Sequence, residues 1–593
     1  MILQRLILYP KTDEIDSLLY TSNGNIEKAE NQMLLKKDSQ LDLSTFFNLF
    51  SAEKWYKFTN VKSFYVQLKM QGAIDMSIMH YEYDHGCLHR KEIYREKFIK
   101  DTESTINSRE IDIPQTGMIG VVLRTDQGAV LYAGSFSSSQ EMCVNNVNIG
   151  IGICTFKREE YVQRNIKLLR EGILEDKEAL AYGHVMVCIS DNAGTLNKEK
   201  IETEKISVVR NKNLGGVGGF TRTILEHKKS KVPVTHILLM DDDAVIEPEA
   251  IDRMYRILTL LKEEYKDYIF GGALLREDQP TVLYENGARW SSGDIEAIHH
   301  DYCLNKLDQI LDNNHEDKVE YSGWWYSCIP TVFIDNKKLP LPFFIHRDDV
   351  EYGLRANGKF IYWNGVCVWH AAFENKLPGT MEYYDMRNLA ITNAIHDSSY
   401  SAREYKKMLF IQVSSNIGKY RYQYVDLNLR GALDFLKGFQ WFYNLDTFEY
   451  HKELSKYNYE VISGKALQEY DDLGKKEISF ENIEDEALIS RSKKMWRMLT
   501  MNGHFFPYKN SIKIVRPNPN IYELYRCKKV VYIEATGNAI VVQRSIKKLI
   551  QSYVKLFKVF RYIDKHYENA KDEYAQNYDK IISESFWNEY LEL

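Results

Sequence analysis

Apolar and polar residues alternate over short stretches through the first 145 positions. Ser63-Phe64-Tyr65-Val66-Gln67-Leu68 and Gly120-Val121-Val122-Leu123 are examples. A period of two puts one face of a strand in a core. Turn residues such as Thr125-Asp126-Gln127-Gly128 separate the runs. The pattern predicts a β-rich accessory domain over residues 1–145, of sandwich or barrel type. From residue 146 the apolar runs become continuous. Ile149–Phe156, His184–Ser190, Ile206–Arg210 and His236–Met240 each have strand length, and a helical period fills Glu160–Arg170. Near-continuous apolar strands alternating with helices predict an α/β domain, with a parallel sheet covered on both faces, over residues 146–400. Residues 401–593 read as mostly helical, rich in Tyr and Lys, with one strand-like run at Lys529–Ile533.

Composition narrows the function classes. Among 593 residues, 44% are apolar and 27% charged, which excludes a disordered chain. The net charge of −6 argues against a nucleic-acid binder. Aromatic residues reach 13%, tyrosine foremost, and suit stacking on sugar rings. The eight cysteines form no C-x-x-C pair, which speaks against a zinc ribbon and for a reducing compartment. The apolar start of the chain is broken by Arg5, a poor signal peptide. No window approaches the ~18 uncharged apolar residues of a membrane span. These features predict a cytoplasmic protein, soluble or peripheral on the inner face of the cell membrane.

Candidate chemistry gathers at the predicted strand ends, where open α/β sheets bind ligands. Asp241-Asp242-Asp243 follows an apolar strand. Three adjacent carboxylates repel one another unless a cation offsets them, and Mg²⁺ commonly takes such oxygens together with substrate phosphates. Asn213-Leu214-Gly215-Gly216-Val217-Gly218-Gly219 permits close backbone approach to a ligand, either as a phosphate-facing loop before a helix or as a mobile turn. His346-Arg347-Asp348-Asp349 opens a predicted helix, where one Asp caps and the other is free to act as general base. Gly323-Trp324-Trp325-Tyr326, before an apolar run Ile329–Ile334 read as a strand, is either a sugar-stacking wall or core. His370 ends another strand, and a lone His is more often structural than a metal ligand.

Taken in order, the glycine loop, the Asp triplet, the Trp pair and Asp348-Asp349-x-Glu351-Tyr352-Gly353-Leu354-Arg355 with a following strand-end His resemble family 2 glycosyltransferases of the GT-A fold. The closer resemblance is to galactofuranosyltransferases that polymerise mycobacterial galactan. It covers residues 146–400 well and the flanking regions loosely. The resemblance implies a Rossmann-like GT-A domain between a β-rich and a helical region. It implies Asp241, Asp243 and His370 as ligands of a divalent cation, Mn²⁺ or Mg²⁺. It implies donor contacts from Arg158, Asp191, Asn192, Asn213, Gly215, Gly216, Asp242 and Trp290. Lys157 competes with Arg158 for the basic role, because the Arg-Pro-type turn of the relatives is replaced here by Lys157-Arg158-Glu159. Asp349 is implied as the base, with Asp348, Trp324 and Trp325 at the acceptor.

The function so implied is inverting, metal-dependent transfer of galactofuranose from UDP-galactofuranose to a hydroxyl of a cell-surface glycan, of capsule, O-antigen or galactan type, including a lipid-linked one. Another nucleotide sugar such as dTDP-rhamnose, or a non-catalytic glycan-binding assembly protein, are the alternatives. Relatives assemble, so a homo-oligomer is expected. The basic amphipathic stretch Ile546–Tyr562 reads either as a helix packed on the body with solvated lysines or as a membrane-surface helix.

Overall fold

The alternating runs at the start of the chain build ten strands in one antiparallel sheet. In this computed structural model the residues described are 1–9, 15–29, 31–291, 293–476, 490–515 and 518–593. Strand Ser63–Asp84 is the spine of the sheet. One flank pairs with Met118–Thr125 and Ala129–Ser137, the other with Cys87–Asn107. Cys87–Asn107 pairs with no further strand among the described residues, and most of its side chains are exposed. Helix Ala52–Phe58 docks the sheet on the rest of the molecule. Its Trp55 stacks on Phe50 and meets Trp363 edge-on at 5.3 Å, and buried Lys54 donates to the Tyr362 carbonyl at 2.9 Å. One apolar core therefore runs from the first sheet into the second.

The second sheet has nine strands, in the path Ile206–Arg210, Val185–Asp191, Ile149–Thr155, His236–Asp241, Ser327–Pro330, Ile269–Arg276, Phe360–His370, Val245–Ile246, with Leu283–Glu285 paired off it. Its first four strands are parallel, as the apolar runs predict. Beyond them the expectation fails: Ser327–Pro330 runs antiparallel to both neighbours. Apolar continuity reports burial on both faces and carries no information on strand direction. The run Ile329–Ile334 is likewise not one strand, since helix Thr331–Lys337 starts after Pro330.

The glycine run is not a loop but the first turns of helix Gly215–Lys228. That helix lies close on the sheet because Gly150 and Gly152 have no side chains; a Cβ there would strike His227 and Thr223. His227, held near 4 by burial, stays neutral and its Nε2 sits 3.0 Å from the Ile151 carbonyl.

The helical region packs Met381–His396, Ala402–Gly418, Tyr422–Phe435 and the long helix Ile546–Asn577 around one core. A four-stranded sheet containing Lys529–Ile533 and Ala539–Gln543 lies beside them. Near the chain end, helix Glu584–Tyr590 returns to the central domain. Its fully buried Trp587 donates from Nε1 to the Pro340 carbonyl at 2.9 Å. No helix among the described residues is long and apolar enough to cross a membrane.

Candidate active site

The parallel strands deliver their polar ends to one edge of the central sheet. Asp241 closes its strand, Asp242 and Asp243 follow in a turn, and His370 ends the long strand Phe360–His370, with two strands between them in the sheet. One ligand atom from each of Asp241, Asp243 and His370 lies within 4.8 Å of the other two. The Nε2 of His370 is 3.3 Å from Asp243, while its buried Nδ1 finds no hydrogen-bond partner among the described residues. Burial, then the charges of Asp243 and Asp242, push the Asp241 carboxyl up to about 7. Burial also opposes ionisation of Asp243, but the His370 hydrogen bond and the charges of His370, Lys376 and Arg158 hold it well below the usual carboxylate range. Two carboxylates and one imidazole fit a hard or borderline divalent cation such as Mg²⁺ or Mn²⁺.

Asp242 turns away from this cluster. It accepts from Thr155 Oγ1 at 2.7 Å and from Arg158 at 3.0 Å. Asn165 fixes the turn by donating to the carbonyls of Asp242 and Ala244. Arg158 also reaches Asp243 at 2.7 Å, whereas Lys157 lies over the Phe156 ring. Of the two basic candidates, Arg158 faces the acids. A second cation was missed by sequence reasoning: Lys376 Nζ sits 3.4 Å from both Asp243 and His370 Nε2. It lies 133 residues from Asp243, in the connection after the His370 strand, and nothing local in the sequence marks it. Leu377 in the same connection donates its backbone N–H to Glu534, at the tip of a hairpin in the C-terminal sheet.

The expected nucleotide contacts are engaged in shaping the adjacent loops. Asp191 accepts from the backbone N–H groups of Ala193, Gly194 and Leu196. Asn192 donates to the Gly215 carbonyl at 2.9 Å, and Asn213 accepts from the Gly215 N–H at 3.1 Å. Gly215 has φ +76°, and a Cβ on it would collide with the Phe344 carbonyl. Gly216, next in line, has open space where its Cβ would be.

Phe344 belongs to a strained segment. Phe344, His346 and Arg347 all have positive φ, between 65° and 76°. Such strain persists only where the surroundings over-determine it. Here Arg387 donates to the Phe343 carbonyl, Asn388 donates to the carbonyls of Ile345 and His346, and Asp385 lies 2.8 Å from His346 and 3.2 Å from Arg347. The segment ends at the start of helix Asp348–Leu354. Asp348 and Asp349 are both shifted upward, chiefly by burial, and Asp348 reaches about 7 with Asp349 beside it as its next cause. Asp349 keeps the Val350 N–H and the charges of His346 and Arg347 on its side. Burial and mutual repulsion thus oppose two full charges on the pair. Buried Glu285, pushed up to about 8 by burial and by Asp349, stands behind them. Burial, then the charges of Asp242, Asp241 and Asp348, push the Cys154 thiol well above its ordinary value.

Trp290 joins this side of the site. The Arg347 guanidinium lies 5.0 Å from its ring, and its Nε1 donates to Asn393 at 2.8 Å. Trp324 and Trp325 are only 5% and 7% exposed. Trp324 packs edge-on against Phe220 and Tyr352, and Trp325 contacts Phe373, which also packs on His370.

Three comparisons bear on this arrangement. Residues 152–384 match the family described as glycosyltransferase-like family 2. The galactofuranosyltransferase GlfT2 of Mycobacterium tuberculosis is 26% identical over 400 residues, covering 60% of this chain and 59% of its own length. GlfT2 of Mycolicibacterium smegmatis is 24% identical over 402 residues, covering 60% and 58%. The match thus spans about three fifths of the curated relatives' length. A solved mannosyltransferase of Pyrobaculum calidifontis, in complex with GDP-Man and Mn²⁺, covers 54% of this chain and 88% of its own at 11% identity and a TM-score of 0.28, too loose to carry an argument.

Proposed function

We propose that this chain, whose residues 152–384 form a glycosyltransferase domain of family 2 type, is an inverting, metal-dependent galactofuranosyltransferase. Its donor would be UDP-galactofuranose and its acceptor a hydroxyl of a cell-surface glycan, including one carried on a lipid. The observation that carries the reading is the convergence of Asp241, Asp243 and His370 in a domain that also sets the acid pair Asp348 and Asp349 at the start of helix Asp348–Leu354. The relatives named for galactofuranose transfer support the donor.

Asp241, Asp243 and His370 would hold the cation, which when bound would offset the charge on the departing nucleotide diphosphate. Arg158 would face the same phosphates, and Gly216 leaves room for backbone approach to them. Asp191, Asn192 and Asn213 would order the loops around the nucleotide, and Trp290 with Arg347 would wall the donor sugar. Asp349 would accept the proton of the attacking acceptor hydroxyl at a carboxylate oxygen. Asp348 would hold the acceptor, with Trp324 and Trp325 shaping that side. Attack on the anomeric carbon opposite the nucleotide inverts configuration without a covalent sugar–enzyme intermediate.

A donor screen with Mn²⁺ or EDTA and a short β-galactoside acceptor tests this. Transfer from UDP-galactofuranose that EDTA abolishes is expected, with a loss of at least about a hundredfold in Asp349→Asn. The upward shift of Asp349 implies that activity falls as pH drops into its titration range, because the protonated base cannot accept the hydroxyl proton. Transfer from dTDP-rhamnose alone would refute the galactofuranose donor. Full activity in Asp349→Asn would refute the base.

A further inference from the structure

Helix Glu159–Leu169 buries one face, made of Val162, Asn165, Ile166 and Leu169 at i, i+3, i+4, i+7. Three of the four are apolar. The fourth, Asn165, has no exposed surface. An amide in an apolar stripe is costly unless its polar atoms find partners, and an apolar residue there would fold the helix as well. Breaks of a local rule of this kind gather at functional sites.

Both polar atoms of the amide are engaged. Its Nδ2 donates to the Asp242 carbonyl at 2.9 Å and to the Ala244 carbonyl at 2.8 Å, and its Oδ1 accepts from Arg164 Nε at 3.3 Å. Arg164 Nη2 donates to the carbonyl between those two, that of Asp243, at 3.1 Å. The Arg164 guanidinium rests 5.2 Å from the Tyr161 ring, one turn back on the same helix. Two adjacent helix residues thus hold three successive carbonyls, and Asp243 is pinned from both sides. The turn needs holding, because its three carboxylates repel one another and an unrestrained backbone would relax by spreading them. Restraint through the carbonyls leaves the carboxylate oxygens free for a ligand.

We propose that Asn165 and Arg164 are positioning residues that preset the acid turn, so that Asp241 and Asp243 meet His370 in ligand geometry before a cation arrives. The inference rests on the cation reading of Asp241, Asp243 and His370. Ligands already in place spare the ordering cost that binding would otherwise carry. They also favour Mg²⁺, which demands strict geometry, over Ca²⁺, which accepts a loose shell. An amide that merely docked the helix would leave that preference unchanged.

Titration of the full chain with Mn²⁺ alone, followed by electron paramagnetic resonance and then by displacement with Mg²⁺ or Ca²⁺, tests this. Asn165→Leu, which restores the apolar stripe, is expected to weaken Mn²⁺ binding at least about tenfold. It should also lower the preference for Mg²⁺ over Ca²⁺ by about threefold. Arg164 is partly exposed, so Arg164→Met carries the test if Asn165→Leu fails to fold. A weakening of about fivefold is expected there, largely restored in Arg164→Lys, which returns a donor to the Asp243 carbonyl. Parent-like Mn²⁺ affinity in the folded variants overturns the positioning role alone. Weaker binding with an unchanged Mg²⁺ to Ca²⁺ preference and no rescue by lysine overturns it too, since general damage to the fold gives that result. A parent protein that binds no Mn²⁺ refutes the cation reading itself, and the positioning role with it.

Discussion

Glu285 is a buried carboxyl group with no cation paired to it among the described residues, and it feels the charge of Asp349. Its ordinary value is 4.5 and the folded one about 8, so the folded protein binds a proton that the unfolded chain releases. The stability this contributes is present in full below about pH 4.5 and is lost as pH rises to 8. Glu285→Gln removes that dependence. Relative to the parent protein, the variant should gain stability with rising pH, by about 3 kcal/mol near pH 7, read from melts across pH. A constant difference between pH 5 and 8 would show that Glu285 is ionised. Lys376 invites the opposite kind of test. Its ammonium shares Asp243 and His370 with any bound cation, so it competes for the site. Lys376→Met is expected to tighten Mn²⁺ binding by about threefold to tenfold, the size of a half-exposed ion pair. Weaker binding, measured by calorimetry, would mean that the lysine supports the cation instead.

At the scale of elements, the glycine-rich helix and the strained segment before helix Asp348–Leu354 act as a matched pair. Gly215 meets the Phe344 carbonyl, and both have positive φ. Gly215→Ala has to strain its backbone and push the segment that aims Asp348 and Asp349. A cost of at least about 2 kcal/mol is expected, with loss of nucleotide affinity in the same variant. An alanine variant with unchanged melting and unchanged affinity would refute the pairing. The sequence disclosed much at this level. Strand positions follow from apolar runs, and the acid triplet, the second acid pair and His370 are visible because their neighbours along the chain are informative. Strand direction was hidden, as for Ser327–Pro330. So was the helical state of Gly215–Gly219, because glycine propensity argues against the conformation that tertiary packing on Gly150 and Gly152 imposes. Lys376 and Glu285 were hidden for another reason: their meaning lies in a neighbour far off in the chain.

The whole molecule is tied together by a few buried anchors rather than by broad contacts alone. Trp55 and Lys54 join the first sheet to the centre, and Trp587 brings the C-terminal helix back under helix Asp348–Leu354, in the core cluster that holds Tyr352. Trp587→Ala should cost about 3–5 kcal/mol and, if the anchor positions the acid pair, lower activity before the helical region melts. Activity that persists up to the global transition would make the anchor a matter of stability only.

The hairpin of Ser63–Asp84 and Cys87–Asn107 has a consequence for solubility. A strand edge of 21 residues left unpaired among the described residues is a template on which another chain could add its own strand. What closes that route is the side-chain sequence itself: Arg90, Lys91, Glu92, Arg95, Glu96 and Lys97 crowd charges of both signs along the edge, so an incoming strand would have to find a complementary arrangement of charges. The outer strand is thus a guarded border, and neutralising its charges, rather than weakening any core, is the shortest path from this fold to a fibre.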